Sequence, residues 1–207
     1  AGLMAALTAA RSGADVILAD EDSRFGGRLL AETGTIDGLP GHQWAEGIVA
    51  ELAAMPNVRL MTRTTVTGAY DGGTYAALQR VSHHMAQAPE NVPLETFWRI
   101  VADRTILAGG AIERPIAFAN NDRPGVMMAS AVRTYANRFA VAAGRKVSIF
   151  TNNDDGHRTA RDLVALGVNV VGVIDTRKGS AATGNYPVFA ASQVIDTKGR
   201  LGLSQIT

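Results

Sequence analysis

The sequence has 207 residues, a net charge of +1 and an apolar content of 46%, and no apolar run approaches the roughly 20 residues of a membrane span. Such a small net charge gives no electrostatic reason to expect binding to nucleic acid or to a membrane. The absence of cysteine excludes disulfides, thiolate catalysis and cysteine-ligated metal sites in this sequence, and it agrees with a cytoplasmic setting.

The first 28 residues carry the pattern on which the functional interpretation depends. A helix is predicted at 1–13, a short apolar strand at 16–20 that ends on Asp20, and a Gly-Gly-Arg turn at 26–28. Helix, strand and terminal acid in this order form the second half of a dinucleotide-binding βαβ unit, whose first strand and G-x-G are absent. We therefore expect the chain to be truncated at its start, with Gly2 as the third glycine of the fingerprint.

Each part of this half unit has a physical role. Gly2 would let the helix lie close to the missing strand, and the helix N-terminus offers unpaired N–H groups to a pyrophosphate. Asp20 is placed to accept hydrogen bonds from a ribose 2′-hydroxyl, and a carboxylate there disfavours a 2′-phosphate, so FAD or NAD is expected rather than NADP. The alternative is an ordinary Ala-rich helix followed by an ordinary acid, with a solvated Arg28 in a plain loop.

The middle of the sequence predicts a helix, a strand and an antiparallel meander. The helix carries an apolar stripe that places Trp44 in the core rather than at a ligand. His83 and His84 follow the hairpin but point apart in an extended chain, so no metal site is expected there. The predicted elements are a helix at 43–55, strands at 58–61, 64–70 and 74–81 with a hairpin turn at 71–73, and a strand pair at 97–101 and 105–108.

A second informative stretch is TILAGGAIERP at 105–115. Its first apolar residues predict a buried parallel strand, and the Ala108-Gly109-Gly110 turn would bring bare backbone to the carboxyl edge of the sheet. Ligands of open α/β sheets bind at that edge, so a cofactor is expected there.

The last part of the sequence predicts a second βαβ lobe. Its elements are a turn at 122–126, a helix at 131–143 with Ser130 as N-cap, a strand at 146–150, a helix at 157–166, a strand at 168–175, and antiparallel strands over 188–207 around a turn at 196–200. The turn TNNDDG lies where a second G-x-G-x-x-G would lie, but Asp154 and Asp155 would repel a pyrophosphate. The lobe is therefore expected to be degenerate, and Asp175, the counterpart of Asp20, is interpreted as structural.

Together these elements predict an α/β fold with two domains. Residues 1–120 are expected to form a parallel-sheet, Rossmann-like dinucleotide-binding domain with an inserted antiparallel meander. Residues 121–207 are expected to form the degenerate Rossmann-like lobe, and the chain looks truncated at both ends.

The sequence resembles the α subunit of heterotetrameric sarcosine oxidase. The matching stretches are AGLMAALTAARSGADVILADED, GGRLL, TTVTGAYDGG, FWRI with ILAGGAIERP, NNDRPGVMMASAVRTYANRF and TNNDDGHRTARDLVALG. Many flavin- and NAD-dependent proteins share the half fingerprint, whereas NDRPGVMMA together with TNNDDG is far more specific. Subunits of opine oxidase and hydrogen cyanide synthase share much of the pattern.

The resemblance implies NAD (or FAD) in the first dinucleotide site. In the full complex it implies a β subunit that carries FAD, FMN at the α/β interface, and smaller subunits. The implied reaction takes sarcosine to glycine and hydrogen peroxide, with the one-carbon unit passed to tetrahydrofolate. No catalytic or metal-binding residue is expected in this sequence, because the chemistry belongs to the flavins and to another subunit.

The resemblance also maps a cofactor site onto ten residues of this sequence. They are Gly2, Asp20, Glu21, Gly26, Gly27, Arg28, Val66, Ala108, Gly109 and Gly110. Gly109 is a departure, because family members commonly place Thr there, and its loss removes a hydroxyl. Two alternatives stay open: a subunit of a related flavin-dependent amine dehydrogenase of the opine oxidase or hydrogen cyanide synthase type, and a non-binding scaffold that docks the β subunit.

Overall fold

The computed structural model describes residues 1–181 and 184–207. The chain divides into two parts, which we call unit 1 and unit 2. Unit 1 consists of Ala1–Leu29 and Gly34–Gly110, and unit 2 consists of Leu30–Thr33 and Ala111–Thr207. The boundary between unit 1 and unit 2 thus follows residue 110, whereas the sequence predicts a domain boundary after residue 120.

Unit 1 combines helices with a parallel strand pair and an antiparallel meander. In chain order its elements are α1 (Gly2–Arg11), β1 (Val16–Ala19), β2 (Thr35–Ile36), β3 (Leu39–Pro40), α2 (Gly41–Ala53), β4 (Val58–Met61), β5 (Thr64–Tyr70), β6 (Thr74–Arg80) and β7 (Glu95–Val101), with a 3₁₀ turn at Gly27–Leu30. The predicted helices at 1–13 and 43–55 and the strands at 16–20, 58–61, 64–70 and 74–81 are confirmed to within a few residues.

The core of unit 1 lies between α1, α2 and the parallel strands. Leu3 and Leu7 are one helical turn apart on α1 and are buried together with Leu52 of α2. Full burial of a leucine side chain contributes about 1.5–3 kcal/mol, which fixes the face that α1 turns inward. Trp44 packs against this core, as predicted, and its indole N–H donates to the Asp37 carboxylate at 3.3 Å.

The parallel strand pair places the end of β1 beside the end of β4. The register runs from Val16 opposite Val58 to Ala19 opposite Met61. The side-chain amide of Asn57, just before β4, donates to the Ala10 carbonyl at 3.0 Å and so ties the end of α1 to the sheet. Parallel pairing of β1 and β4, with α2 in the connection between them, is the geometry of a βαβ unit.

The meander follows the strand order β5-β6-β7 with antiparallel pairing. Its hairpin turn carries Gly72 and Gly73 at φ of 66° and 67°. A Cβ atom on Gly73 would lie 2.4 Å from the Ala102 carbonyl oxygen, so only glycine fits there. The predicted hairpin is confirmed, and β7 extends the predicted strand at 97–101 back to Glu95.

The prediction of a buried parallel strand at 105–108 is wrong. These residues form no strand, and Ile106 and Leu107 are 67% and 94% exposed. An apolar run becomes a buried strand only when a neighbouring strand edge receives its hydrogen bonds. Among the described residues no strand pairs with this segment, so it is exposed and has no regular secondary structure.

Unit 2 contains a parallel sheet in the order β10-β9-β8. Its elements are α3 (Ala129–Arg133), a π-helical continuation (Thr134–Arg138), β8 (Lys146–Thr151), α4 (Asp154–Ala165), β9 (Asn169–Asp175), β10 (Val188–Ala190), β11 (Thr197–Lys198) and β12 (Gln205–Ile206). The sheet packs against its helices through Leu163 of α4 and Val173 of β9, which are almost fully buried. The predicted second βαβ arrangement is therefore confirmed.

The first helical segment of unit 2 differs from its prediction at both ends. Ser130 is not the N-cap: it lies inside α3, and its backbone N–H donates to the Glu113 carboxylate at 2.9 Å. The predicted helix at 131–143 ends early, because Ala140 adopts a left-handed φ of 54°. A π-helical stretch and a left-handed alanine carry no sequence signal, so periodicity extends this helix too far.

Two further predictions for unit 2 need correction. The helix predicted at 157–166 begins three residues earlier, because the Asn153 side chain caps it by accepting from the Asp155 N–H at 3.0 Å. The strands over 188–207 are not all antiparallel, since β10 pairs parallel to β9. The predicted turn at 196–200 is partly strand, because β11 and β12 pair antiparallel around a later turn. Among the described residues, no helix has the length and apolarity to cross a bilayer.

Candidate dinucleotide site

All ten residues of the predicted cofactor site belong to unit 1. They come from the start of α1, the end of β1, the loop and 3₁₀ turn that follow, strand β5 and the extended segment at 108–110. Ligands of open α/β sheets bind outside the carboxyl ends of the strands, and Asp20 directly follows the carboxyl end of β1.

Gly2 and Ala108 are brought into contact. Gly2 is the first residue of α1, and a Cβ atom added to it would lie 3.3 Å from the Cβ of Ala108. The N-terminal N–H groups of α1 have no acidic side chain in the first turn and no side-chain cap. This end of the helix therefore keeps its partial positive charge and its donors available for an anion.

Asp20 lies directly after β1 and is anchored through its backbone. Its N–H donates to the Met61 carbonyl at 2.9 Å, and its carbonyl accepts from the Thr64 N–H at 2.8 Å. The residue is therefore fixed between the end of β4 and the start of β5. This position, at the carboxyl end of the second strand of a βαβ unit, is where an acid that binds ribose is expected.

The Asp20 side chain is half-buried and only partly satisfied. Its Oδ1 accepts from the Asp22 backbone N–H at 2.9 Å, and no donor among the described residues reaches Oδ2. Burial raises the pKa of the Asp20 carboxyl above its ordinary value, against the opposing effect of the Asp22 hydrogen bond. A half-buried carboxylate with one uncommitted oxygen can accept a hydrogen bond from a sugar hydroxyl.

The glycine turn after β1 has the backbone freedom that its sequence predicts. Gly26 and Gly27 have φ of 136° and 54°, which glycine adopts without strain. Phe25 just before them is buried in the core, so the turn is anchored on one side. Arg28 and Glu21 are exposed, and both are close in sequence to Asp20.

Val66 and the segment at 108–110 offer backbone groups. Val66 is 52% exposed and lies at an irregularity in the β5–β6 pairing between Val66 and Gly68. Ala108, Gly109 and Gly110 are exposed, and Gly110 has a φ of 70°. Beyond the approach of Ala108 to Gly2, the predicted pairing of this segment with the sheet is not present.

Asp175, the counterpart of Asp20 in unit 2, has a different environment. It lies at the end of β9 and is fully buried. Its carboxylate accepts hydrogen bonds from Arg177, His157 and Ser180. The Arg177 guanidinium holds the pKa of Asp175 well below its ordinary value, despite the opposing effect of burial. The prediction that Asp175 is structural agrees with this geometry.

The partners of both acids were not predicted from the sequence. Asp22 follows Asp20 by two residues, which is the spacing of an Asx turn and is a detectable local signal. Arg177 follows Asp175 at the same spacing and donates its backbone N–H to Asp175 Oδ1 at 2.9 Å. Ser180 lies in the loop that follows β9, five residues after Asp175. His157 is 18 residues before Asp175 and is brought to it by the packing of α4 on the sheet, which no short-range sequence pattern predicts.

Comparison with known proteins identifies close relatives but no matching family model. The chain is 47% identical over 207 residues to sarcosine oxidase subunit alpha of Rhizobium meliloti (strain 1021), covering 99% of the chain. It is 42% identical over 206 residues to sarcosine oxidase subunit alpha of Corynebacterium sp. (strain U-96), covering 96% of the chain. The chain spans 21% of the length of each relative. The predicted resemblance to this subunit is therefore confirmed for the part of it that the chain represents.

Among solved structures, the fold is similar to L-proline dehydrogenase from P. horikoshii. The TM-score is 0.72 at 22% sequence identity, and the match covers 99% of this chain and 36% of that chain. At this identity the likeness concerns the fold, and it confirms the predicted α/β, Rossmann-like class.

Proposed function

We propose that unit 1 binds the adenosine diphosphate part of NAD (or FAD) within the α subunit of a sarcosine oxidase-type complex. The observation that carries the proposal is the half-buried Asp20 carboxylate at the end of β1, which keeps one oxygen without a donor among the described residues. The uncapped N-terminus of α1 supplies the complementary anion site for a pyrophosphate.

Different residues of unit 1 would bind different parts of the ligand. Gly2 and the first turn of α1 would hold the pyrophosphate, and Asp20 would accept a hydrogen bond from a ribose hydroxyl. Arg28, directly after the Gly26-Gly27 turn, would contribute positive charge toward a phosphate or sugar. The carboxylate at Asp20 would repel a 2′-phosphate, so NADP is expected to bind more weakly than NAD.

The cofactor supplies redox chemistry to the complex, and this chain supplies binding and orientation. On the basis of the relatives we propose that the whole protein acts with a β subunit that carries FAD, with FMN at their interface, and with smaller subunits. The proposed reaction oxidises sarcosine to glycine with formation of hydrogen peroxide, and passes the one-carbon unit to tetrahydrofolate. The proposed setting is the cytoplasm.

Titration of the chain with NAD, followed by amide NMR, tests the binding proposal. Saturating shifts are expected for residues around Gly2 and Asp20, and weaker shifts with NADP. Asp20→Asn is expected to weaken binding, because an amide oxygen accepts a neutral rather than a charge-assisted hydrogen bond. Asp15→Asn is the matched control, since it removes an exposed carboxylate that is not part of the proposed site. Equal affinity of the Asp20 variant and the parent chain would remove Asp20 from the site.

A second candidate function is a scaffold that docks the β subunit without binding a nucleotide. It is favoured by the exposure of Leu107 and of the segment around it, which is not folded onto the sheet. The same titration separates the two candidates. If neither NAD nor FAD shifts any amide near Gly2 and Asp20 at millimolar concentration, the scaffold function is preferred.

A further inference from the structure

The carboxyl end of β9 in unit 2 is bridged to the start of α4 by one side chain. Arg177 donates from Nη2 to Asp175 Oδ2 at 2.8 Å and from Nε to Asp175 Oδ1 at 3.1 Å. Its third nitrogen, Nη1, lies 2.8 Å from Asp154 Oδ1 in the first turn of α4. The guanidinium therefore joins the carboxylate at the end of the strand to a carboxylate at the start of the helix.

Two more side chains use the acceptor capacity of Asp175. His157 Nε2 lies 2.9 Å from Oδ2, and Ser180 Oγ donates to the same oxygen at 2.8 Å. Ser180 Oγ and His157 Nε2 are themselves 2.8 Å apart, so the three groups form a closed triangle. With Arg177 on both oxygens as well, no acceptor position of this buried carboxylate is left for a ribose hydroxyl.

The free N–H groups and the partial positive charge at the start of α4 are likewise compensated by side chains of this chain. The Asn153 side chain accepts from the Asp155 N–H at 3.0 Å, and Asp154 and Asp155 both lie in the first turn. Their negative charges compensate the partial positive charge of the helix N-terminus. This arrangement is opposite to that of α1, whose first turn has no acid and no side-chain cap.

In a βαβ nucleotide site, the ligand lies between the acid at the end of the second strand and the N-terminus of the helix. Arg177 spans these two points in unit 2. We propose that Arg177 is a built-in occupant of the nucleotide site of unit 2, an autoinhibitory contact that closes this lobe to dinucleotides. The cation lies at the strand-end carboxylate that a ribose would otherwise approach and at the helix start where a pyrophosphate would otherwise lie.

The lobe keeps the close helix–strand packing of a nucleotide-binding unit beneath this bridge. A Cβ atom on Gly156 would lie 2.5 Å from the Cβ and Oγ1 of Thr151, so the contact of α4 with β8 depends on glycine. Gly156 is the last glycine position of the second fingerprint, where such packing is needed. The backbone framework is therefore that of a binding lobe, and the closure resides in the side chains of Arg177, Asp154 and Asp155.

Titration of the labelled full chain with NADH, followed by amide NMR, tests this closure. In the parent chain, amides of unit 2 near Gly156 and Asp175 are expected to stay unchanged at millimolar NADH. In the Asp154→Asn, Asp155→Asn, Arg177→Met variant, those amides are expected to shift, with affinity raised about tenfold or more by loss of the bridge and its charges. Lys178→Ala changes an exposed neighbour in the same loop and is the control. The unit 2 amides of this variant are expected to show no shift on addition of NADH.

Two results would overturn the proposal. One is saturable NADH shifts in unit 2 of the parent chain, which would mean that Arg177 does not close the lobe. The other is a folded triple variant whose unit 2 amides show no shift on addition of NADH. Should the triple variant unfold, Arg177→Met with Asp154→Asn removes both sides of the bridge, and unit 2 amides that stay unchanged at high NADH in that variant would likewise overturn the proposal. The amides around Gly2 and Asp20 report unit 1 separately, so this test and that of the proposed function fail independently.

Discussion

The Cβ atom that Gly2 lacks would lie 3.3 Å from the Cβ of Ala108. This contact joins the first turn of α1 to the extended segment that precedes the Gly109-Gly110 turn. The separation is tighter than an ordinary van der Waals contact, so a side chain at position 2 displaces its neighbour or the helix start. The glycine therefore has a packing role in addition to the anion-binding role predicted from the fingerprint.

Replacement of Gly2 by valine is expected to destabilise unit 1 and to weaken NAD binding. Overpacking of this kind costs about 1–3 kcal/mol, because the neighbouring backbone must shift. Thermal unfolding and NAD titration measure both effects. In the combined Gly2→Ala, Ala108→Gly variant the added methyl group is offset by the removed one, so this variant is expected to be more stable than Gly2→Ala alone. Strict additivity of the two changes would show that the contact is not tight.

The Asp20→Asn variant is expected to be more stable than the parent chain near neutral pH while binding NAD less well. Burial raises the pKa of Asp20 in the folded state, so the ionised carboxylate disfavours folding, and the penalty is relieved as the pH falls through the folded-state pKa. The stability difference between the two proteins should therefore shrink toward acidic pH. Denaturant unfolding at several pH values measures it, and a pH-independent difference would contradict the assignment.

The residues that were predictable from the sequence are those with a local cause. α1 follows from leucines one turn apart, and the hairpin after β5 follows from Asp71-Gly72-Gly73 between alternating strands. Asp20 and Asp175 were located because a strand end is a fixed distance from a helix in a βαβ unit. Whether residues 105–108 form a strand has no local cause, since it depends on a neighbouring strand edge with which they could pair. The same is true of the contact of His157 with Asp175, which joins residues 18 apart in the chain.

Asp175→Asn is expected to destabilise unit 2. Asp175 is fully buried, but the Arg177 side chain is 41% exposed and can be solvated once the carboxylate is replaced, so the loss is expected to be smaller than the about 3–5 kcal/mol of a fully buried pair. The pKa of Asp175 is lowered by Arg177 in the folded state. Its stabilising effect is therefore fully present above the ordinary pKa of 3.8 and is lost as the pH falls toward the folded-state pKa. The variant should lack this acid-dependent loss, whereas Asp15→Asn at an exposed position should retain it.

The buried pair of Arg133 and Asp162 in unit 2 gives a test by double substitution. Arg133 Nε donates to Asp162 Oδ2 at 2.9 Å, and both side chains are less than a tenth exposed. Thr33 Oγ1 donates to the other oxygen of Asp162 at 3.0 Å, which fixes the segment Leu30–Thr33 within unit 2. The pair is thus an anchoring contact for this segment.

Arg133→Met leaves the Asp162 carboxylate buried without its cation, so a loss of about 3–5 kcal/mol is expected. The Arg133→Met, Asp162→Leu variant removes both charges and is expected to be more stable than the single variant. Denaturant midpoints of the four proteins of the cycle measure the coupling. A double variant no more stable than Arg133→Met would show that the charge of Asp162 is not what makes the single change costly.

Gly109→Thr is expected to tighten NAD binding, because it supplies the hydroxyl that the resemblance to sarcosine oxidase implies at this position. The nearest atom to a Cβ on Gly109 is Leu107 Cδ1 at 3.8 Å, an ordinary contact, so a Cβ at this position is accommodated without displacement. Gly110 is the matched control: its φ of 70° strains any side chain, and Gly110→Thr is expected to weaken binding and stability. One added hydrogen bond contributes about 0.5–1.5 kcal/mol, equivalent to a two- to tenfold change in Kd. Calorimetric titration with NAD measures this change, and an unchanged Kd for a folded Gly109→Thr variant would place the 108–110 turn outside the cofactor site.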